Sequence, residues 1–141
     1  MNEFATIETP IGTLGVRTNS KGVYRLHLAN DVDSKETETP NNNQSPILKN
    51  ALKQLREYFD ENRTTFSVPL DLQMPPFYKK ALLEVAKIPY GKTVSYQEIA
   101  RRAGNAKASR AAGSANANNP IAIFIPCHRI LASDGTLGGY G

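Results

Sequence analysis

Cys127 is the one cysteine in a chain of 141 residues, and it sits in the run Ile125-Pro126-Cys127-His128-Arg129-Ile130. A thiol becomes a nucleophile as its thiolate, and a neighbouring cation or base draws its pKa down from about 8.5. His128 and Arg129 are the adjacent candidates for that work. Successive residues of an extended strand point to opposite faces, so His128 reaches the sulfur only if the chain turns after Cys127, or through a bridging water. Free cysteine is also among the most buried residue types, so an inert packed thiol is the alternative that the surroundings must overturn. A Cys–His hydrolase would bring its base from elsewhere, and the other histidine, His27, lies in a strand pattern of the acidic half. There it reads as a solvated or hydrogen-bonded strand residue.

A single cysteine excludes an internal disulfide and a multi-thiolate zinc site. Apolar runs stay well short of the roughly 18 residues of a membrane span, and no basic, apolar leader opens the chain, so a soluble, cytoplasmic protein is expected, or a nuclear one in a eukaryote. The formal charge of +4 is unevenly spread. Residues 1–73 carry eight Lys/Arg against ten Asp/Glu, whereas residues 74–141 carry nine against three. A basic half is the footprint of a polyanion binder, although a basic surface kept for solubility has the same composition.

Those residues need elements to position them. The segments EFATIET, TLGVRT and VYRLHLA alternate in the manner of strands, with turn signals PIG and SKG between them, which predicts an antiparallel meander. Residues 31–45 are polar and aperiodic, which predicts a surface loop without chemistry. Ser45 caps and Pro46 opens a helix whose apolar stripe is Ile47, Leu48, Ala51, Leu52, Leu55, Tyr58 and Phe59, and residues 64–72 follow as an extended piece. A second helix begins at Pro76 and stops at the PYG turn of residues 89–91; its apolar residues cover most of its surface, which predicts a central position. Ser95 and Glu98 have capping-box spacing, and Gly104 is placed to end that third helix. A fourth helix of Ala, Ser, Gly and Asn follows, with Lys107 and Arg110 as its long side chains, and the pair reads as helix-turn-helix. So slim a helix can approach a partner closely or pack against a neighbour. PIAIFIP reads as a buried strand delivering Cys127, and a glycine-rich loop follows.

Four stretches in register, IPYGKTVSYQEIA, GNAKASRAAGSA, NPIAIF and IPCHRI, carry a resemblance to the O6-alkylguanine-DNA alkyltransferases, also called methylated-DNA–protein-cysteine methyltransferases. TPIGTL and PLDL carry it more loosely through the first half. The fold implied is α/β (α+β): residues 1–73 resemble the family's ribonuclease-H-like N-terminal domain, and residues 74–141 its winged-helix-like, helix-turn-helix DNA-binding domain.

The resemblance implies that Cys127 accepts the alkyl group from O6 of guanine and keeps it, with thymine O4 left open as a second donor. His128 would generate the thiolate through a water, with Asn119 holding that network and its loop. Tyr96 would crowd the 3′ phosphate and donate to guanine N3, and Arg110 would fill the stack vacated by the flipped base. Gln97, Asn105, Lys107 and Ser133 are the remaining DNA contacts expected. The partner implied is duplex DNA carrying O6-alkylguanine, entered from the minor groove by a monomer, with no membrane role. No cofactor and no metal are expected, because the zinc-binding members use cysteines absent here. Relative to the family, the sequence ends at Gly141, before the final helix whose glutamate completes a Cys–water–His–Glu relay. A module that binds alkylated DNA with weak or no transfer, and a thiol hydrolase, are the rival readings.

Overall fold

The computed structural model describes residues 2–32, 35–89, 91–125 and the backbone of 130–131. The chain divides into two compact units, Met1–Leu72 and Gln73–Gly141.

The first unit is a three-stranded antiparallel sheet, β1 (Glu3–Thr9), β2 (Gly12–Asn19) and β3 (Gly22–His27), covered on one face by helix α1 (Pro46–Phe59). Register pairs Ala5 with Val16, Ile7 with Leu14 and Val16 with Leu26, so the alternating apolar residues share one face. That face and Leu48, Ala51 and Leu55 of α1 form the core. Replacing either leucine by alanine would cost about 2–5 kcal/mol in such a setting. Ser45 caps α1 as expected, its hydroxyl accepting from the amide of Leu48 at 3.3 Å. The expected stripe omits Gln54, which is buried and exchanges two hydrogen bonds with Ser67, at 2.8 and 2.9 Å. The extended piece after α1 joins the sheet by a bridge from Leu70 to Val23 and by a 2.7 Å hydrogen bond from the Asn19 side-chain amide to Asp71.

The opposite sheet face carries Phe4, Arg17 and His27. Arg17 lies 4.5 Å over the Phe4 ring and donates its Nε–H to Nε2 of His27 at 2.8 Å, while His27 Nδ1 meets Asp31 at 2.8 Å. With Nε2 facing Arg17 and Nδ1 facing Asp31, His27 is a hydrogen-bonded strand residue, as its pattern suggests. Hydrogen bonding from His27 holds the Asp31 carboxyl below its usual range, and Arg17 does the same for Glu36. Residues 35–45 are more ordered than their composition suggests. Thr39 exchanges two hydrogen bonds with the backbone of Phe4, at 2.7 and 3.1 Å, and Glu38 accepts from the amide of Thr6, so the loop is stitched along the free edge of β1.

The second unit contains α2 (Pro76–Ala86), the two-residue strand β4 (Val94–Ser95), α3 (Tyr96–Arg102), α4 (Ser109–Ala117) and β5 (Ile130–Leu131). Helix α2 buries Ala81, Leu82 and Val85 but leaves Leu83 and its lysines outside, so one stripe is core, narrower than the expectation of apolar residues over most of its surface. Strand β5 runs parallel to β4, pairing Ile130 with Val94 and Leu131 with Ser95.

Candidate nucleic-acid interface

Helix α3 is defined at both ends by the residues the sequence singles out. The Ser95 hydroxyl accepts from the amide of Glu98 at 3.1 Å. Gly104 has φ +103°, a backbone open to glycine at no steric cost, and its amide donates to Arg101 at 3.1 Å while that of Asn105 donates to Ala100 at 2.9 Å. Those two bonds are the Schellman closure. Glu98 does not complete the capping box. Its carboxylate turns along the helix to Arg101, at 2.9 Å from Nε, and to Arg102 at 2.8 Å, and that pairing holds it down at about 2, with Arg101 the larger cause and Arg102 the second.

Helix α4 is shorter than its composition suggests, because Lys107 belongs to the preceding turn, where Asn105 Oδ1 accepts from the Lys107 amide at 3.1 Å. Asn105, Lys107, Arg110 and Gln97 are all exposed. The side chains of Lys107 and Arg110 make no hydrogen bond or ion pair with a described residue. Tyr96, the first residue of α3, is buried, and a β-carbon built on Gly113 of α4 would lie 4.0 Å from its Cδ1. The small residue at 113 thus lets α4 lie close to the Tyr96 ring. That contact, and the burial of Asn116 on the inner side of α4, are absent from the sequence reading. The run of small side chains is the signal that holds the first of them.

The segment 120–125 is not the strand expected. It closes a turn in which the Ile125 amide donates to Ile121 at 3.0 Å and that of Phe124 to Ala122 at 2.9 Å. Ile121, Phe124 and Ile125 are buried, a spacing of three and four in place of alternation. The cause is Asn119. Its Nδ2–H donates to the Ile125 carbonyl at 3.0 Å and its Oδ1 accepts from the Ile121 amide at 2.9 Å, so one side chain satisfies both ends of the turn. Ile123 sits within it at φ +74°, where a β-branched residue is strained by about 1–3 kcal/mol.

Cys127, His128 and Arg129 lie outside the described residues, as does Ser133. What is described is where the chain enters and leaves the motif. It enters from the Asn119-clamped turn ending at Ile125 and leaves along β5, whose Leu131 pairs with Ser95, the residue before Tyr96. Among the described residues no group of His, Cys, Asp and Glu is arranged to hold a metal, and no helix is long and apolar enough to cross a membrane.

Two family matches divide the chain at the same place. Residues 3–72 match the ribonuclease-like domain of 6-O-methylguanine DNA methyltransferase, and residues 76–141 match the DNA-binding domain of the same family. The constitutive methylated-DNA–protein-cysteine methyltransferase of Bacillus subtilis is 41% identical, the alignment covering 99% of this chain and 87% of the relative. That of Methanosarcina acetivorans is 37% identical over 97% of this chain and 88% of its own. Among solved structures, Mycobacterium tuberculosis OGT in complex with DNA superposes with a TM-score of 0.80 at 38% identity, covering 98% of this chain and 83% of that one. The α/β (α+β) fold, with a sheet unit followed by a helical one, is that of these proteins. With both domains matched in order and relatives above a third identical over nearly the whole chain, the chain belongs to the 6-O-methylguanine DNA methyltransferase family.

Proposed function

We propose that Cys127 is the acceptor in a DNA repair reaction that moves an alkyl group from O6 of guanine to the protein. Repair by alkyl transfer is the activity of the family; the assignment of residues is ours. The observation that carries it is the pairing of β5 with β4, which ties the chain just after the Cys-His-Arg run to Ser95, beside Tyr96.

In this reading α4 enters the minor groove of duplex DNA, its small residues allowing close approach of the backbone. The target carbon is out of reach in a stacked base, so the nucleotide rotates out at a cost of a few kcal/mol. Arg110, exposed and without a described partner, fills the vacated space. Tyr96 presses the 3′ phosphate, and Gln97, Asn105, Lys107 and Ser133 hold the backbone. Phosphate contacts of this kind draw on the positive charge of the second half.

The chemical step is an in-line displacement. The Cys127 thiol passes its proton to His128 through a water, and the thiolate attacks the O-linked carbon. The carbon–sulfur bond forms as the carbon–oxygen bond breaks, and the electron pair returns to guanine O6. A hydrogen bond from the Tyr96 hydroxyl to N3 stabilises that developing charge. Asn119 sets the position of the loop that carries the thiol. The thioether is not hydrolysed, so each molecule reacts once, as a monomer and without a cofactor.

The test is stoichiometry. With O6-methylguanine duplex in excess, lesion loss should saturate at one per protein molecule; continued loss beyond that ratio would make the thiol a turnover nucleophile and sink the reading.

A further inference from the structure

The groove between α2 and α3 is used by no step above. It has a volume of about 220 Å3 and is lined by Lys80, Leu83, Glu84, Lys87, Arg102 and Ala103. Small-molecule pockets run to about 300–1,000 Å3, so this one suits one or two side chains. Its floor is apolar. Ala103 is buried, and Leu83 is 38% exposed, one of three large apolar side chains left outside among the described residues.

Its rim is cationic. Lys80 makes no hydrogen bond or ion pair with a described residue. Lys87 lies 2.6 Å from Glu84, which offsets that carboxylate, yet the lysine side chain remains 71% exposed. Arg102 spends only its Nε on Glu98, at 2.8 Å, a carboxylate already shared with Arg101. Both terminal nitrogens of Arg102 are therefore left without a partner among the described residues, and that fork pairs a carboxylate with two parallel bonds.

We propose that this groove docks an acidic peptide segment that carries an apolar side chain. The apolar group covers Leu83 and Ala103, one carboxylate takes the fork of Arg102 and a second meets Lys80. Lys80, Lys87 and Arg102 outnumber Glu84 and the Glu98 carboxylate that Arg102 shares with Arg101, and that net positive rim supplies the charge complementarity. A nucleic-acid backbone offers the negative charge but nothing to cover the apolar floor. Tyr96 and Arg102 lie six residues apart on α3, which leaves them about 120° apart round the helix, so the peptide and the duplex occupy different faces.

The probe is a fluorescein-labelled Asp-Asp-Asp-Leu-Phe peptide titrated into the full chain at low ionic strength without DNA, read by anisotropy and by backbone amide shifts. Binding with a Kd on the order of 100 μM is expected, with shifts centred on Leu83, Lys87 and Arg102. Lys80→Glu, Arg102→Glu and Leu83→Asp should each weaken it about tenfold or more. Exchanging the aspartates for asparagines should abolish it. Lys80→Glu should leave transfer from free O6-benzylguanine unchanged, and as a substitution at an exposed site it keeps the test alive if Leu83→Asp does not fold. Absence of peptide binding, or shifts centred elsewhere, would overturn the proposal. So would variants that lose duplex affinity while binding the peptide normally, because the groove would then be a nucleic-acid contact.

Discussion

Asn119 and Ile125 are joined by a 3.0 Å hydrogen bond from the asparagine amide to the isoleucine carbonyl, two residues before Cys127. With the second bond, from the Ile121 amide, one side chain holds a turn that contains a strained Ile123. Asn119→Ala leaves a carbonyl and an amide of a largely buried turn unsatisfied, at about 1–3 kcal/mol each before water relieves them. We expect a urea midpoint lowered accordingly, and slower transfer even from free O6-benzylguanine, which requires no DNA. Asn119→Asp restores the acceptor for Ile121 but not the donor to Ile125, so it should recover part of the stability. Normal transfer by a destabilised Asn119→Ala protein would show that the clamp does not position the thiol.

Gly113 separates the demands of folding from those of binding. Glycine within a helix costs about 0.5–1 kcal/mol relative to alanine, and a β-carbon there meets Tyr96 at an ordinary 4.0 Å. Gly113→Ala should raise stability by about that amount in denaturant titration. Its duplex affinity should fall, because the added methyl stands on the helix that enters the groove. An unchanged affinity would mean that the backbone does not come close at this point.

Glu98 is held at about 2 by Arg101 first and Arg102 second, below its ordinary 4.5. A carboxylate depressed by folding contributes stability above its unfolded value and loses it as pH falls through the folded one. The difference in Tm between the wild-type chain and Glu98→Gln should therefore be full near neutrality, shrink below about pH 4.5 and vanish near 2. A pH-independent difference would place the effect of the substitution outside this ion pair.

The helix ends were open to reading from sequence because they depend on local chemistry. Ser45, Pro46, Ser95 and Gly104 each act on the backbone within a turn of themselves, so spacing alone located them. The turn before Cys127 was not, because IAIFI is equally consistent with a strand and the decisive bonds come from a neighbouring side chain, Asn119. The same holds for the 35–45 loop, whose polar sequence hides the Thr39 and Glu38 bonds to β1, and for Gln54, a polar residue buried by its exchange with Ser67. The Arg102 fork depends on Glu98 lying between two arginines, a side-chain choice that spacing alone does not fix.

Arg110 is exposed on the first turn of α4, with no described partner to lose. Arg110→Ala should reduce transfer from O6-methylguanine in duplex by about a hundredfold, the equivalent of a few kcal/mol of flipping, and leave transfer from free O6-benzylguanine nearly unchanged. Equal losses on the two substrates would remove Arg110 from base extrusion and return it to protein structure.

The most direct measurement is the mass of the peptide containing Cys127 after the chain has met an equimolar O6-methylguanine duplex. Transfer to Cys127 gives a gain of one methylene on that residue and restored guanine in the DNA. A duplex that binds with no change in that peptide, or a methyl group found on any other residue, would contradict it.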